Sequence, residues 1–218
     1  AIGEPALSKL FKYKEFNPIQ TQTFHELFKT GRNALVCAPS GSGKSVCAEF
    51  AIMRMLTTTS DGKAVYVAPS EDVLDPIYRD WKRRFGALIG GSNIAKLTGD
   101  IVPDLKLLAS ARLVMCTMTT WDMLTRRWRQ RKAIQAVSLV IFDEMHFLGG
   151  EMGPTMEIVI SRMRYISSQQ QQEGSNGIRI VGLSASLANA RDVGEWFGVS
   201  NKGLFNFSPK VRPWPLEI

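Results

Sequence analysis

The chain has 218 residues, 44% of them apolar and 22% charged, with a net charge of +7 and a pI near 9.5. That length carries one large domain or two small ones with a real core, and the ordinary composition excludes disordered and fibrous classes. The basic balance favours polyanionic partners, and no apolar run reaches the ~18–20 residues needed to cross a bilayer.

The first sixteen residues, "AIGEPALSKLFKYKEF", hold no continuous apolar stretch and so no signal peptide; the chain starts without Met and is expected to be a fragment. Beyond them, short apolar runs recur: "NALVCA" (33–38), "AVYVA" (64–68), "IAKLT" (94–98), "RLVMC" (112–116), "SLVIF" (138–142) and "IRIVGLS" (178–184). Their near-continuous, β-branched character predicts strands buried on both faces. Helical patterns lie between them at 44–56, 71–85, 119–130, 153–166 and 189–197. Strand–helix alternation predicts an α/β fold, a parallel sheet covered by helices on both faces. The polar stretch "SSQQQQEGSNG" (167–177) predicts a solvated loop. No repeat or linker divides the chain, so residues 1–218 form one domain. The three cysteines, Cys37, Cys47 and Cys116, fit no C-x-x-C spacing and suggest reduced thiols. With only His25 and His146, a His-rich metal site is excluded.

Residues 38–45, "APSGSGKS", follow the first strand and open a helix. The pattern is that of a phosphate-binding loop, G-x-x-x-x-G-K-[ST], with Ala38 in place of the first Gly. Gly41 and Gly43 allow positive φ, so that the backbone N–H groups after Pro39 turn inward as an anion nest at a helix N-terminus. In this nest of Pro39, Ser40, Gly41, Ser42, Gly43, Lys44 and Ser45, Lys44 reaches the β- and γ-phosphates and the Ser45 hydroxyl ligates Mg²⁺. Ala38 ends the strand before the nest, where any small residue suffices. "SLVIFDEMH" supplies the second requirement, a carboxylate at the end of another buried strand. Asp143 is expected to meet Mg²⁺, and Glu144 to orient or deprotonate the attacking water. His146 is expected either to be structural or to report the γ-phosphate.

"DEMH" is a DExH box, and with the loop it makes the chain resemble the first RecA-like domain of superfamily 2 DExH-box RNA helicases. The resemblance implies a RecA-like P-loop NTPase fold using ATP and Mg²⁺. "FNPIQTQTF" (16–24) is similar to the family's adenine-reading Q motif, with Phe16 and Gln20 at the base and residues 1–30 as the entry segment. "LSAS" (183–186) is similar to the coupling motif, with Ser184 and Ser186 matched. "AEFAIMRML", "WDMLTRRWRQRK", "GGEMGP", "SRMRYISSQ", "SLANARDVGEWFG" and "VRPWPLE" resemble the large spliceosomal helicases built of two tandem cassettes, the second cassette best. That implies a nuclear protein whose partners are the remaining helicase domains of its own chain, splicing proteins and RNA, and no membrane. It also implies a second RecA-like domain supplying an arginine finger, so the isolated fragment is expected to hold half a site.

The sequence departs from the family where RNA is expected. "VAPSEDVLDPIYRDW" (67–81) carries Glu71, Asp72 and Asp75, whose charges repel a phosphate chain, and a mid-helix Pro76. "CTMTTWD" (116–122) has Met118 and Thr119–Thr120 where the family favours Pro-Glu-Lys, while "LTGD" (97–100) and Asp104 match. In "RRWRQRK" (126–132) helical spacing puts Trp121, Leu124 and Trp128 on one core stripe and Arg126, Arg127 and Arg129 elsewhere, on a solvated or protein-binding face. Two functions stay open: a regulatory nucleotide-binding scaffold, and an active RNA or DNA helicase motor. A small-molecule phosphotransferase has no acceptor motif to support it.

Overall fold

The computed structural model describes residues 10–11 and 15–211. The expectations for residues 1–9 and 12–14 of the entry segment, and for "VRPWPLE" beyond Val211, lie outside the described residues.

The described residues form an alternating α/β chain. Helix α1 (Pro18–Phe24) runs on into a wide turn at His25–Lys29; β1 (Ala34–Cys37) and α2 (Lys44–Thr58) follow, then β2 (Lys63–Ala68) and α3 (Glu71–Ile89). Next come β3 (Ile94–Lys96), α4 (Ile101–Ser110), β4 (Leu113–Thr117), α5 (Met118–Thr125) and the short α6 (Lys132–Gln135). The chain closes with β5 (Val137–Phe142), α7 (Gly153–Gln172), β6 (Arg179–Ser184), α8 (Ala190–Phe197) and β7 (Leu204–Asn206). The strands pair in parallel in the order β3-β4-β2-β5-β6-β1-β7, so β6 separates the C-terminal ends of β1 and β5.

Period-two alternation divides the core. Ala34, Val36, Ala64 and Tyr66 turn to one face with Phe50, Trp81 and Phe85; Leu35, Cys37, Val65 and Val67 turn to the other with Trp121, Met156 and Phe197. Helices α1–α3 therefore cover one face and α5, α7 and α8 the other. Both faces of the central strands are buried, which explains their unbroken apolar runs. Each fully buried large side chain contributes about 1.5–3 kcal/mol.

Two boundaries differ from expectation. The stretch 167–177 is not a loop throughout, because α7 continues to Gln172. Gln tolerates helix well, and buried Ser167 ties the last turn to β6 by bonding both N–H and C=O of Ile178. The true turn is confined to the next five residues, where Gly174 (φ 84°) and Gly177 (φ 69°) take left-handed conformations. The helix expected over 119–130 ends at Thr125, with a separate 3₁₀ turn at Trp128–Gln130. Trp121 and Leu124 are core as expected, while Trp128 is only partly buried.

Candidate nucleotide site

The site is built at the C-terminal edge of the sheet. Ala38 is fully buried, and its N–H bonds Ser184 O at 2.9 Å. It completes the strand and core rather than the nest, so a methyl is tolerated where the textual pattern has glycine. Gly41 (φ 75°) and Gly43 (φ 87°) turn the loop left-handed as expected, and Gly43 caps α2. A Cβ on Gly43 would stand 2.6 Å from Gln20 Nε2.

Lys44 opens α2, and its ammonium is turned back into the loop. Nζ donates to Ala38 O at 2.7 Å and Pro39 O at 3.3 Å, and the residue is 8% exposed. A cation bound to neutral carbonyls inside a turn of N–H groups is a receptor for an anion. Ser45 follows it, exposed, while Pro39 and Ser40 sit at the mouth.

The segment before α1 clamps this loop. Asn17 and Gln20 form a reciprocal capping box, Gln20 N–H to Asn17 Oδ1 at 2.9 Å and Asn17 N–H to Gln20 Oε1 at 3.1 Å. Their free amide groups reach across to the loop: Asn17 Nδ2 to Ser42 O at 2.8 Å and Gln20 Nε2 to Gly43 O at 3.4 Å. The Phe16 ring packs edge-on against Phe11 and Phe50. Asn17 was not singled out as a site residue, though Asn-Pro-x-Gln is a legible helix-start signal.

Asp143 follows β5 and is 7% exposed. Oδ1 accepts the Glu144 N–H at 2.9 Å, and Oδ2 accepts the phenol of Tyr66, buried in the middle of β2. The Asp143 pKa is raised to about 6, chiefly by burial; the Tyr66 phenol pulls the other way, the Glu144 charge adds to the rise, and the Glu144 N–H and the Lys44 charge oppose it. The phenol itself is pushed well above its ordinary range, by burial first and then by Asp143, so it stays a donor. Sequence reasoning missed Tyr66. A tyrosine inside a fully buried apolar strand was the available signal, since its hydroxyl needs a partner.

Glu144 is the one described non-glycine residue with positive φ, 52°. Such strain collects at functional positions. His146 Nδ1 accepts the Ala185 N–H at 3.2 Å and lies 3.3 Å from Glu144 Oε2, which links the box to the end of β6. Ser184 lies buried between the two strand ends, whereas Ser186 turns away and donates to Phe207 O at 2.7 Å.

Four buried side-chain polar atoms lack a hydrogen-bond partner among the described residues: Ser42 Oγ, Trp121 Nε1, Glu144 Oε2 and Ser184 Oγ. Three of them surround this loop and box. Buried polar groups are satisfied in native proteins as a rule, so the cluster fits a site completed by a polar ligand. A nucleotide triphosphate with its divalent cation matches the donors and carboxylates present.

The other end of the sheet edge differs. Glu71 and Asp72 fill the first turn of α3, where carboxylates are favoured by the helix dipole. Glu71 and Asp75 each lie 2.6 Å from Lys96 Nζ on β3, so two of the three expected negative charges share one cation. Lys96 was not foreseen, because the pair spans 21–25 residues of sequence. Asp104 is fully buried and accepts the N–H groups of Thr98 and Gly99 at 3.0 and 2.9 Å, fixing the "LTGD" turn. Asp122 is likewise internal, shared by Arg126 (2.6 Å) and Arg162 (2.9 Å). Of the expected exposed arginines, Arg126 is thus engaged within the chain, while Arg129 lies over the Trp128 ring.

Known proteins agree with this architecture. The Pyrococcus furiosus Hef helicase domain superimposes with a TM-score of 0.68 at 22% identity, covering 91% of this chain and 39% of that one. At that identity the likeness speaks for the fold alone, a RecA-like parallel sheet flanked by helices. The DExH-box ATP-dependent RNA helicase DExH13 of Arabidopsis thaliana is 50% identical over the whole chain, and the U5 small nuclear ribonucleoprotein 200 kDa helicase of Homo sapiens 46%. Pre-mRNA-splicing factor brr2 of Schizosaccharomyces pombe is also 46% identical. The chain spans about a tenth of the length of these relatives. The DEAD/DEAH box helicase model matches residues 17–193, from the Asn17 cap into α8, and the chain belongs to that family.

Proposed function

We propose that this chain is the ATP-binding first RecA-like domain of a larger nuclear spliceosomal helicase. We assign it to the second of two cassettes, where it acts mainly as a regulatory, protein-docking module. Lys44 and the loop N–H groups hold the β- and γ-phosphates, and Ser45 and Asp143 hold Mg²⁺. Gln20 and Phe16 meet the base; Glu144 positions water, and His146, Ser184 and Ser186 relay the state of the site. Bound Mg²⁺ would neutralise phosphate charge. The chain's own residues do the rest: Lys44 leaves its two carbonyls for phosphate, and Tyr66 keeps Asp143 aimed and able to ionise. Hydrolysis needs a further cation, the arginine finger that the family resemblance places on a second RecA-like domain.

One observation carries the regulatory reading: the nucleotide end keeps Lys44, Ser45, Asp143 and Glu144, while the α3 end presents carboxylates. Glu71, Asp72 and Asp75 against Lys96 leave a net negative helix N-terminus, where a backbone phosphate would otherwise seat. The alternative is an active motor, favoured by the complete set of Lys44, Ser45, Asp143 and Glu144. Parallel titrations of the chain with Mg-ATP and with a single-stranded RNA oligomer separate the two. Saturable nucleotide binding with weak, sequence-independent RNA binding supports the regulatory reading. Tight RNA binding that strengthens with ATP sinks it.

A further inference from the structure

A cavity lies at the opposite end of the sheet from the nucleotide loop. It has a volume of about 730 Å³, within the range of ligand pockets. Its floor is the N-terminal ends of β5 and β6, and its walls are the last turns of α2 and α7. Arg32, Arg54 and Arg179 line it, and among the described residues neither a carboxylate nor an aromatic side chain does. Glu26, just behind, pairs with Arg32 at 2.6 Å. Arg179 gives its N–H groups to the carbonyls of Glu26, Leu27 and Arg32, and Arg54 donates to Phe28 O at 3.2 Å. Two guanidiniums therefore serve one helix end. Their crowding has a cost: burial, then the Arg54 charge, lowers Arg179 to about 10. Arg54 uses one of its five N–H donors among the described bonds and borders open space.

We propose that this basal cleft is a docking site for an acidic peptide segment of a protein partner. One of its carboxylates would pair with Arg54, and its backbone would bond the surrounding Ser138, Gln171 and Asn176. RNA is disfavoured because single strands are held by base stacking and the lining is without aromatics. A compact polyphosphate is disfavoured because two of the three guanidiniums are largely committed within the chain. The site is independent of the nucleotide site, so loss of ATP binding with intact peptide binding would bear on the preceding proposal alone.

The test is fluorescence polarisation of the chain with a fluorescein-labelled twelve-residue peptide of alternating Asp and Ser. The controls are the Asn/Ser analogue, pyrophosphate and a U-rich RNA of equal length as competitors. Two variants report on the cleft by different means. Arg54→Gln removes charge, and Ser138→Tyr fills the cleft without changing charge. Arg129→Gln, on another surface, makes the same charge change as the first. Loss of a charge-assisted contact predicts at least roughly tenfold weaker peptide binding for Arg54→Gln. A similar loss is expected for Ser138→Tyr, under twofold for Arg129→Gln, and unchanged Mg-ATP affinity for all three. Peptide binding that is absent, that falls equally in Arg129→Gln, or that RNA or pyrophosphate displaces more readily than unlabelled acidic peptide overturns the proposal.

Discussion

Replacing Tyr66 by Phe removes one oxygen from the core and leaves Asp143 Oδ2 without its donor. The ring stays, packed edge-on against Trp81 at 4.9 Å, so no cavity opens. What changes is the carboxylate. Raising Asp143 from its ordinary 3.8 to about 6 corresponds to about 3 kcal/mol by which the folded chain disfavours the ionised form. The phenol already opposes that shift, so Tyr66→Phe should move Asp143 higher still. The sign follows from a folded pKa above the unfolded one. Asp143 favours folding most below its unfolded pKa, and that contribution is lost as pH rises through about 6. Without the phenol the loss is larger and continues to higher pH. At pH 8 the variant forfeits a hydrogen bond to a buried charge, about 1.5–3 kcal/mol; at pH 5, with the acid neutral, about 1 kcal/mol. Urea unfolding of both proteins from pH 5 to 8 measures the difference. In an Asp143→Asn background the same substitution should cost the same at every pH. A wild-type-minus-variant difference that is flat, or that shrinks as pH rises, refutes the reasoning.

Lys44→Ala should weaken Mg-ATP binding roughly 10- to 150-fold by calorimetry, since about 1.5–3 kcal/mol of charge-assisted contact is lost; equal isotherms would count against the assignment. Gly43→Ala should destabilise the chain and impair nucleotide binding, because its φ is 87° and the new methyl would meet Gln20 Nε2 at 2.6 Å; a variant with unchanged melting temperature and affinity contradicts this. The chain alone should hydrolyse ATP far more slowly than one turnover per second, because arginine fingers contribute about 10³–10⁵ in rate; a phosphate-release assay showing several turnovers per second would exclude it. Replacing Glu71 and Asp75 by Gln frees Lys96, and RNA affinity should rise several-fold with a steeper salt dependence; unaltered RNA binding would show that these carboxylates do not guard the face.

The parts of the site legible in the sequence were those set by local chain geometry. A loop's glycines, the residue opening a helix and a carboxylate ending a buried strand are separated by few residues. They keep their relation wherever the fold puts them. Lys44 and Asp143 are of this kind; the Asn17–Gln20 cap is equally local, but Asn17 was not among the expected site residues. Tyr66, Lys96 and Arg162 act across strands and helices far apart in sequence, so their partners depend on strand order, which periodicity does not reveal. Strand identity was legible because β1, β2, β4, β5 and β6 are buried on both faces. Strand β7, three residues long and only partly buried, carries no such signal. The end of α7 differs from expectation for the opposite reason: a polar composition predicts a loop, although a helix with one solvated face is equally polar.

Unwinding of a tailed RNA duplex tests the central claim most directly, using the full helicase in which this domain is proposed to sit, with and without Glu144→Gln in this domain. The account predicts little change in unwinding rate, together with retained Mg-ATP binding here. Robust unwinding that Glu144→Gln abolishes would contradict it and make this domain a motor.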